Sequence, residues 1–243
     1  MRTTLIIARR ELGSYFATPV AVVFIVIFLA LQGALTFNLG NFFDRNQADL
    51  APFFNFLPWV LLLLVPALTM RLWAEERRYR TIDMLLTLPI TETQAVVGKF
   101  LAAWAFTAIA LLLTFPFVLT VNYLGRPDNG VIACGYLGGL LLAGSFLALG
   151  GAVSASTKNQ VVAFVLAVAL CFLAMVASTP LVTDFLGHAA PELASVAARV
   201  SVAGRFQNFT RGVIELRDVI YFASFIGFFL FLNTVVIDHK RAD

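Results

Sequence analysis

Charge is scarce in this chain. Only 13% of its 243 residues are Asp, Glu, Lys or Arg, while 60% are hydrophobic; soluble domains carry roughly 25% charged residues. That balance excludes an ordinary soluble domain and assigns the chain to lipid. Cysteine is also rare: Cys134 and Cys171 lie in or beside apolar runs, with no second cysteine or histidine at metal-ligand spacing, and read as packing thiols. The two histidines, His188 in a polar connector and His239 in the charged C-terminus, give neither a metal site nor a catalytic pair a start. The 17 basic and 14 acidic residues leave a formal charge of +3, spread over short connectors with no stripe that could follow a nucleic-acid backbone.

Catalytic patterns are missing as well. No His-Glu-x-x-His run, paired carboxylates or Ser/Cys nucleophile with a base is present, so no enzyme activity is expected of this chain. A P-loop requires Gly, four residues, then Gly-Lys-Ser/Thr. The Gly98-Lys99 pair has Thr93 in place of the first glycine and Phe100 in place of the hydroxyl. The apolar runs hold few polar residues, neutral ones such as Gln32, Thr36, Asn38, Thr114 and Asn233. Ion-coupled carriers place acidic groups or broken helices near the midplane, so an energy source in this chain is not expected.

What the chain does have is long apolar runs. Crossing a hydrocarbon core of roughly 30 Å takes about 20 mostly apolar residues. Six segments meet this: Pro19 to Leu39, Phe53 to Met70, Val96 to Tyr123, Val131 to Val153, Gln160 to Pro180, and Val219 to Ile237. The expected fold is all-α. Arg2, Arg9 and Arg10 ahead of the first run imitate a secretory leader, but no small-residue cleavage site follows, and the run is expected to stay as the first span. Six crossings put both termini on one side. Arg2, Arg9, Arg10, Arg71, Arg77, Arg78, Arg80, Lys99, Lys158, Lys240 and Arg241 fall there, against Arg45, Arg126, Arg199, Arg205, Arg211 and Arg217 opposite, 11 to 6. Both termini are therefore expected in the cytoplasm.

Two connectors are longer and patterned. Span 2 runs on into Arg71-Leu72-Trp73-Ala74-Glu75-Glu76-Arg77-Arg78-Tyr79-Arg80, charged with both signs. Thr81 can cap a following turn, Asp83 suits its positive end and Pro89 stops it, giving a short cytoplasmic helix with Ile82, Leu85 and Leu86 on adjoining faces. Those side chains need a bilayer interface or a partner's groove. Thr91 and Gln94 have capping-box spacing and start span 3. On the outer side, Pro191 leads a helix from Glu192 to Val200, and Arg205 to Leu216 forms another before Asp218 caps span 6. These two would make a lid or a platform for an auxiliary protein.

The run Ala74-Glu75-Glu76-Arg77, then Thr81-Ile82-Asp83-Met84-Leu85-Leu86-Thr87-Leu88-Pro89-Ile90, then Gly98-Lys99-Phe100, resembles the signature of ABC-2 type permeases. More narrowly, with Ser156-Thr157-Lys158-Asn159-Gln160, Phe206, Arg211-Gly212-Val213-Ile214, Arg217-Asp218 and Tyr221-Phe222, it is similar to the gliding-motility-associated permease group. The resemblance implies one transmembrane domain over residues 1–243, with an interfacial helix at 1–17, a coupling region at 71–95 and an outer connector at 181–218. It implies two ATPase subunits, which would bind ATP and Mg, a second permease copy or paralogue, and a bacterial inner membrane. It further implies that Glu75, Glu76, Arg77, Arg80, Ile82, Asp83, Leu85 and Leu86 contact the ATPase. No cofactor or metal is expected in this chain.

Leu5, Ala8, Leu12, Tyr15 and Phe16 cluster on one side of a helical N-terminus with Thr3 and Arg10 opposite, as in a helix lying at the interface. Gly135, Gly139, Ala143 and Gly151, with Ala163 and Ala167, form small-residue stripes suited to close helix packing, within the chain or in a dimer. Most of the 24 phenylalanines read as lipid-facing bulk. The expected function is the permease subunit of an ATP-driven transporter; the alternative is a membrane anchor or assembly protein that an ATPase regulates without transport.

Overall fold

The computed structural model describes residues 2–79, 90–177, 179, 182 and 201–239, and among these it is helical with no strand. The helices are α1 (Arg2–Phe16), α2 (Pro19–Ala34) continued by a π-helical turn (Leu35–Leu39), α3 (Ala51–Thr69), α4 (Ala74–Arg78), α5 (Glu92–Leu112), α6 (Phe115–Leu124), α7 (Asn129–Ser156), α8 (Gln160–Val176), α9 (Val202–Thr210) and α10 (Leu216–His239).

The starts and stops have local causes. Pro19 opens α2 where its missing N–H costs nothing. Thr91 accepts from the Gln94 amide while the Gln94 side chain reaches back to the Thr91 amide, the capping box read from the sequence. Asp128 caps α7 through the amides of Gly130 and Val131, and Asn159 caps α8 through those of Val161 and Val162. The third run, expected as one span, is one apolar stretch interrupted by a two-residue turn between α5 and α6. Pro116 has no N–H for the Leu112 carbonyl and its ring crowds that carbonyl; the Thr114 hydroxyl instead closes the turn, 2.6 Å from the Leu111 oxygen, and meets the Tyr136 hydroxyl at 2.7 Å.

Among the described residues, five helical stretches are long and apolar enough to cross a membrane. The Gln160 to Pro180 run is described as α8 over 17 residues, which at 1.5 Å per residue is about 25 Å, short of a full hydrocarbon core.

Helix α7 is the central post, packed on α3, α5, α8, α9 and α10. Its glycines admit large partners. A methyl group on Gly135 would lie 2.5 Å from the Phe54 ring, and one on Gly139 2.7 Å from Leu57, both on α3. Ala143 on α7 and Ala163 and Ala167 on α8 are also buried, and Gly151 lies beside Leu72 and Asn233. The spaces at Gly135, Gly139 and Gly151 are thus occupied by side chains of the same chain. Helices α2 and α10 keep most of their apolar surface outward, as lipid-facing helices do.

Two expectations are corrected. The helix expected over Arg205 to Leu216 ends at Thr210, because Gly212 turns the chain with φ +79°, a left-handed conformation that favours glycine. The second is corrected in part: of the α1 face expected to cluster, Ala8, Leu12 and Tyr15 are half-buried, but Leu5 and Phe16 are not. Leu5, Ile6 and Phe16 are exposed, while Ile7, Glu11, Leu12 and Tyr15 turn inward. The reason is α5: a Cβ on Gly98 would stand 2.8 Å from Ile7, so α1 lies hard against that glycine and draws Glu11 into the contact.

Candidate functional site

The polar chemistry of the chain collects at the end of the bundle that carries α1. After α3 the backbone turns through Met70 to Trp73 into α4, whose N-cap residue Trp73 has no side chain to cap it. The cap comes from α7. The Ser154 hydroxyl accepts from the amides of Trp73 (3.2 Å) and Ala74 (3.1 Å) and donates to the Met70 carbonyl at 3.3 Å. Arg77 then donates to the Ala155 carbonyl at 2.6 Å, near the C-terminus of α7 where a cation complements the helix dipole. A small apolar cluster of Leu72, Trp73, Ala95, Val96, Ala155 and Ile237 packs around this turn.

Lys99 on α5 sits in the middle, 4% exposed. Its Nζ is 2.7 Å from Glu76 Oε1 and 3.3 Å from Glu11 Oε1, and lies 5.3 Å from the centroid of the Trp73 ring. A buried ammonium is retained only when paired. Here the pairs come from two directions, from α1 and from α4, so one side chain joins three elements. Next to it, Tyr15 stacks on Phe106 at 5.4 Å. Burial first, and the Glu11 carboxylate second, push its phenol well above the ordinary value.

A cavity of about 340 Å³ opens beside Lys99 between α1, α2, α3 and α5, with Arg71, Glu75, Phe24 and Phe106 in its wall.

The opposite end has a different cluster. Asp218, fully buried in the first turn of α10, receives Arg205 Nη1 on one oxygen and Asn208 Nδ2 on the other, both at 2.7 Å. Arg205 also lies 5.5 Å from the Tyr221 ring centroid. Asp218 was expected as the cap of this helix; its side chain instead serves α9, where a guanidinium and an amide satisfy both oxygens.

Of the residues assigned to ATPase contact, Glu75, Glu76 and Arg77 lie on α4, with Glu76 and Arg77 engaged as above. Arg80, Ile82, Asp83, Leu85 and Leu86 lie outside the described residues, as does the expected helix from Glu192 to Val200. The sequence reading passed over Glu11, Lys99, Trp73 and Ser154 as a unit. The available signal was Lys99 itself, a lone cation four residues inside an apolar run.

No curated protein matches the chain. A family model described as "ABC-2 family transporter protein" matches residues 36–235.

Proposed function

The chain belongs to the ABC-2 transporter family, and from that premise we propose that it is the permease subunit through which a separate ATPase drives transport or mechanical work across the membrane. The observation that carries the coupling is Lys99. The segment leading into residues 80–89 is fastened through Glu76 and Trp73 to α5, and through the same ammonium to Glu11 on α1. Displacement of α4 therefore acts on α1 and α5 together, while the Arg77 and Ser154 bonds pass it to α7.

In this reading α8 completes a sixth crossing, both termini and the segment around 71–95 are cytoplasmic, and the membrane is a bacterial inner membrane. Two permease chains and two ATPase subunits form the working unit, ATP and Mg are held by the ATPases, and the gliding-motility-associated group is the narrower home. Support for topology is the 11 to 6 basic asymmetry, together with the shared end at which α1, α4, the start of α5 and the end of α7 meet. Ile82, Asp83, Leu85 and Leu86 enter the ATPase groove, with Arg80 at its rim, while Glu75 lines the cavity beside Lys99. Glu76 and Arg77 hold the segment to the bundle.

The test is Leu85→Asp or Leu86→Asp, followed by co-purification with the ATPase and by the abundance of the chain in the membrane. A charge forced into an apolar groove costs several kcal/mol, and about 4 kcal/mol weakens binding roughly a thousandfold. The expected outcome is normal abundance with the partner lost. Retained partner and normal ATP-dependent activity would place coupling elsewhere.

A further inference from the structure

The cavity beside Lys99 has a composition that transmission of motion does not require. At about 340 Å³ it falls within the roughly 300–1,000 Å³ of small-molecule sites. Its apolar part lies deeper in the bundle: Phe106 follows Lys99 by seven residues on α5, about 10 Å along the helix, and Phe24 packs on it with ring centroids 5.3 Å apart. Its charged part lies where α3 gives way to α4. Three carboxylates (Glu11, Glu75, Glu76) and two cations (Arg71, Lys99) line it.

Lys99 is committed to Glu11 and Glu76. Arg71 and Glu75 remain, and neither forms an ion pair with another described residue. A cation and an anion, both without an ion-pair partner among the described residues, thus stand together at the wet end of a cavity floored by aromatic rings, in a bundle built to sit in lipid.

We propose that this cavity binds the headgroup of a zwitterionic aminophospholipid of the phosphatidylethanolamine type. The phosphate pairs with Arg71, the primary ammonium with Glu75, and the start of the acyl region lies over Phe24 and Phe106. Charge selects this class. An anionic lipid meets three carboxylates against two cations, whereas a zwitterion adds no net charge. The ammonium also separates it from choline, which has no N–H to donate to Glu75.

The experiment is native mass spectrometry of the purified full-length chain with dioleoyl phosphatidylethanolamine, phosphatidylcholine or phosphatidylglycerol added at equal concentration. Wild type should retain the ethanolamine lipid preferentially. Glu75→Gln should lower that retention about tenfold, the weight of one charge-assisted hydrogen bond, to the level of the choline lipid. Arg71→Gln should weaken retention of all three. Arg126→Gln, at the opposite end, should change nothing. Because Arg71 and Glu75 form no ion pair within the described fold, both variants should keep the wild-type melting temperature, measured in parallel. Equal retention of the three lipids, or an unchanged ethanolamine preference in Glu75→Gln, overturns the proposal. So does displacement by soluble glycerophosphoethanolamine at the same concentration, which would make the ligand a free solute and not a membrane lipid.

Discussion

The two ends of this bundle solve the same problem, a charge held away from water, in opposite ways. Around Asp218 the ligands Arg205 and Asn208 both come from α9, no more than 13 residues away, and the carboxylate is sealed. Around Lys99 the ligands come from α1 and α4, 88 and 23 positions earlier in the chain, the carboxylates are 17% and 20% exposed, and a cavity adjoins them. A local sealed pair behaves as a clasp that fixes one turn. A dispersed, half-open pair ties together parts that can move relative to one another, which suits the end proposed to meet the ATPase.

The largest expected effect breaks the clasp. Asp218→Ala leaves Arg205 and Asn208 facing a buried space without their acceptor, and removal of one partner from a buried pair costs about 3–5 kcal/mol. The corresponding change at the other end, Glu11→Gln, leaves Lys99 with Glu76 and an amide oxygen, and should cost about 1 kcal/mol. Thermal unfolding of both variants in one detergent measures the difference. Equal losses would mean that the two clusters are mechanically alike and that the openness of the Lys99 site carries no consequence.

A smaller effect sharpens the role of α1. In a free helix Gly→Ala is stabilising, by up to about 1 kcal/mol. At Gly98 the added methyl would meet Ile7 at 2.8 Å and the Thr4 carbonyl at 3.2 Å, so overpacking of about 1–3 kcal/mol should reverse the sign. Ile7→Ala in the Gly98→Ala background should recover part of the loss. A stabilised Gly98→Ala variant would show that α1 does not rest on α5.

These residues also show what could be read from the chain alone. Five of the six span positions, the Thr91–Gln94 capping box and the shared end of the connectors follow from hydropathy and cap chemistry, which are local. The break at Thr114 was readable too, since Pro116 stood in the middle of an apolar run. The Lys99 cluster was not. Glu11 carried no assignment, because its approach depends on α1 lying against Gly98, a contact between positions far apart in sequence. Asp218 was given a cap role for the same reason: its partners on α9 become visible only once Gly212 has turned the chain back.

The smallest effect lies at alkaline pH and separates α1 as a packed element from α1 as a surface one. Tyr15 stacks on Phe106 beneath Glu11, and both its burial and that carboxylate oppose its ionisation. Its folded pKa is therefore above the ordinary phenol value of 10.0. Below pH 10 the phenol is neutral in folded and unfolded chains alike, and its contribution to stability is complete. Above pH 10 the unfolded chain releases the proton more readily, so stability falls as pH rises toward the folded value. Tyr15→Phe removes that proton and should flatten the decline between pH 9.5 and 11, roughly, while changing stability at pH 7 by less than about 1 kcal/mol. The measurement is the melting temperature of both proteins across that window, with Tyr79→Phe, an exposed ring, as the control. If Tyr15→Phe and wild type decline in parallel, the Tyr15 phenol is solvated and α1 does not close over Phe106; if only Tyr15→Phe is flattened, the helix is held there, with Glu11 beside Lys99.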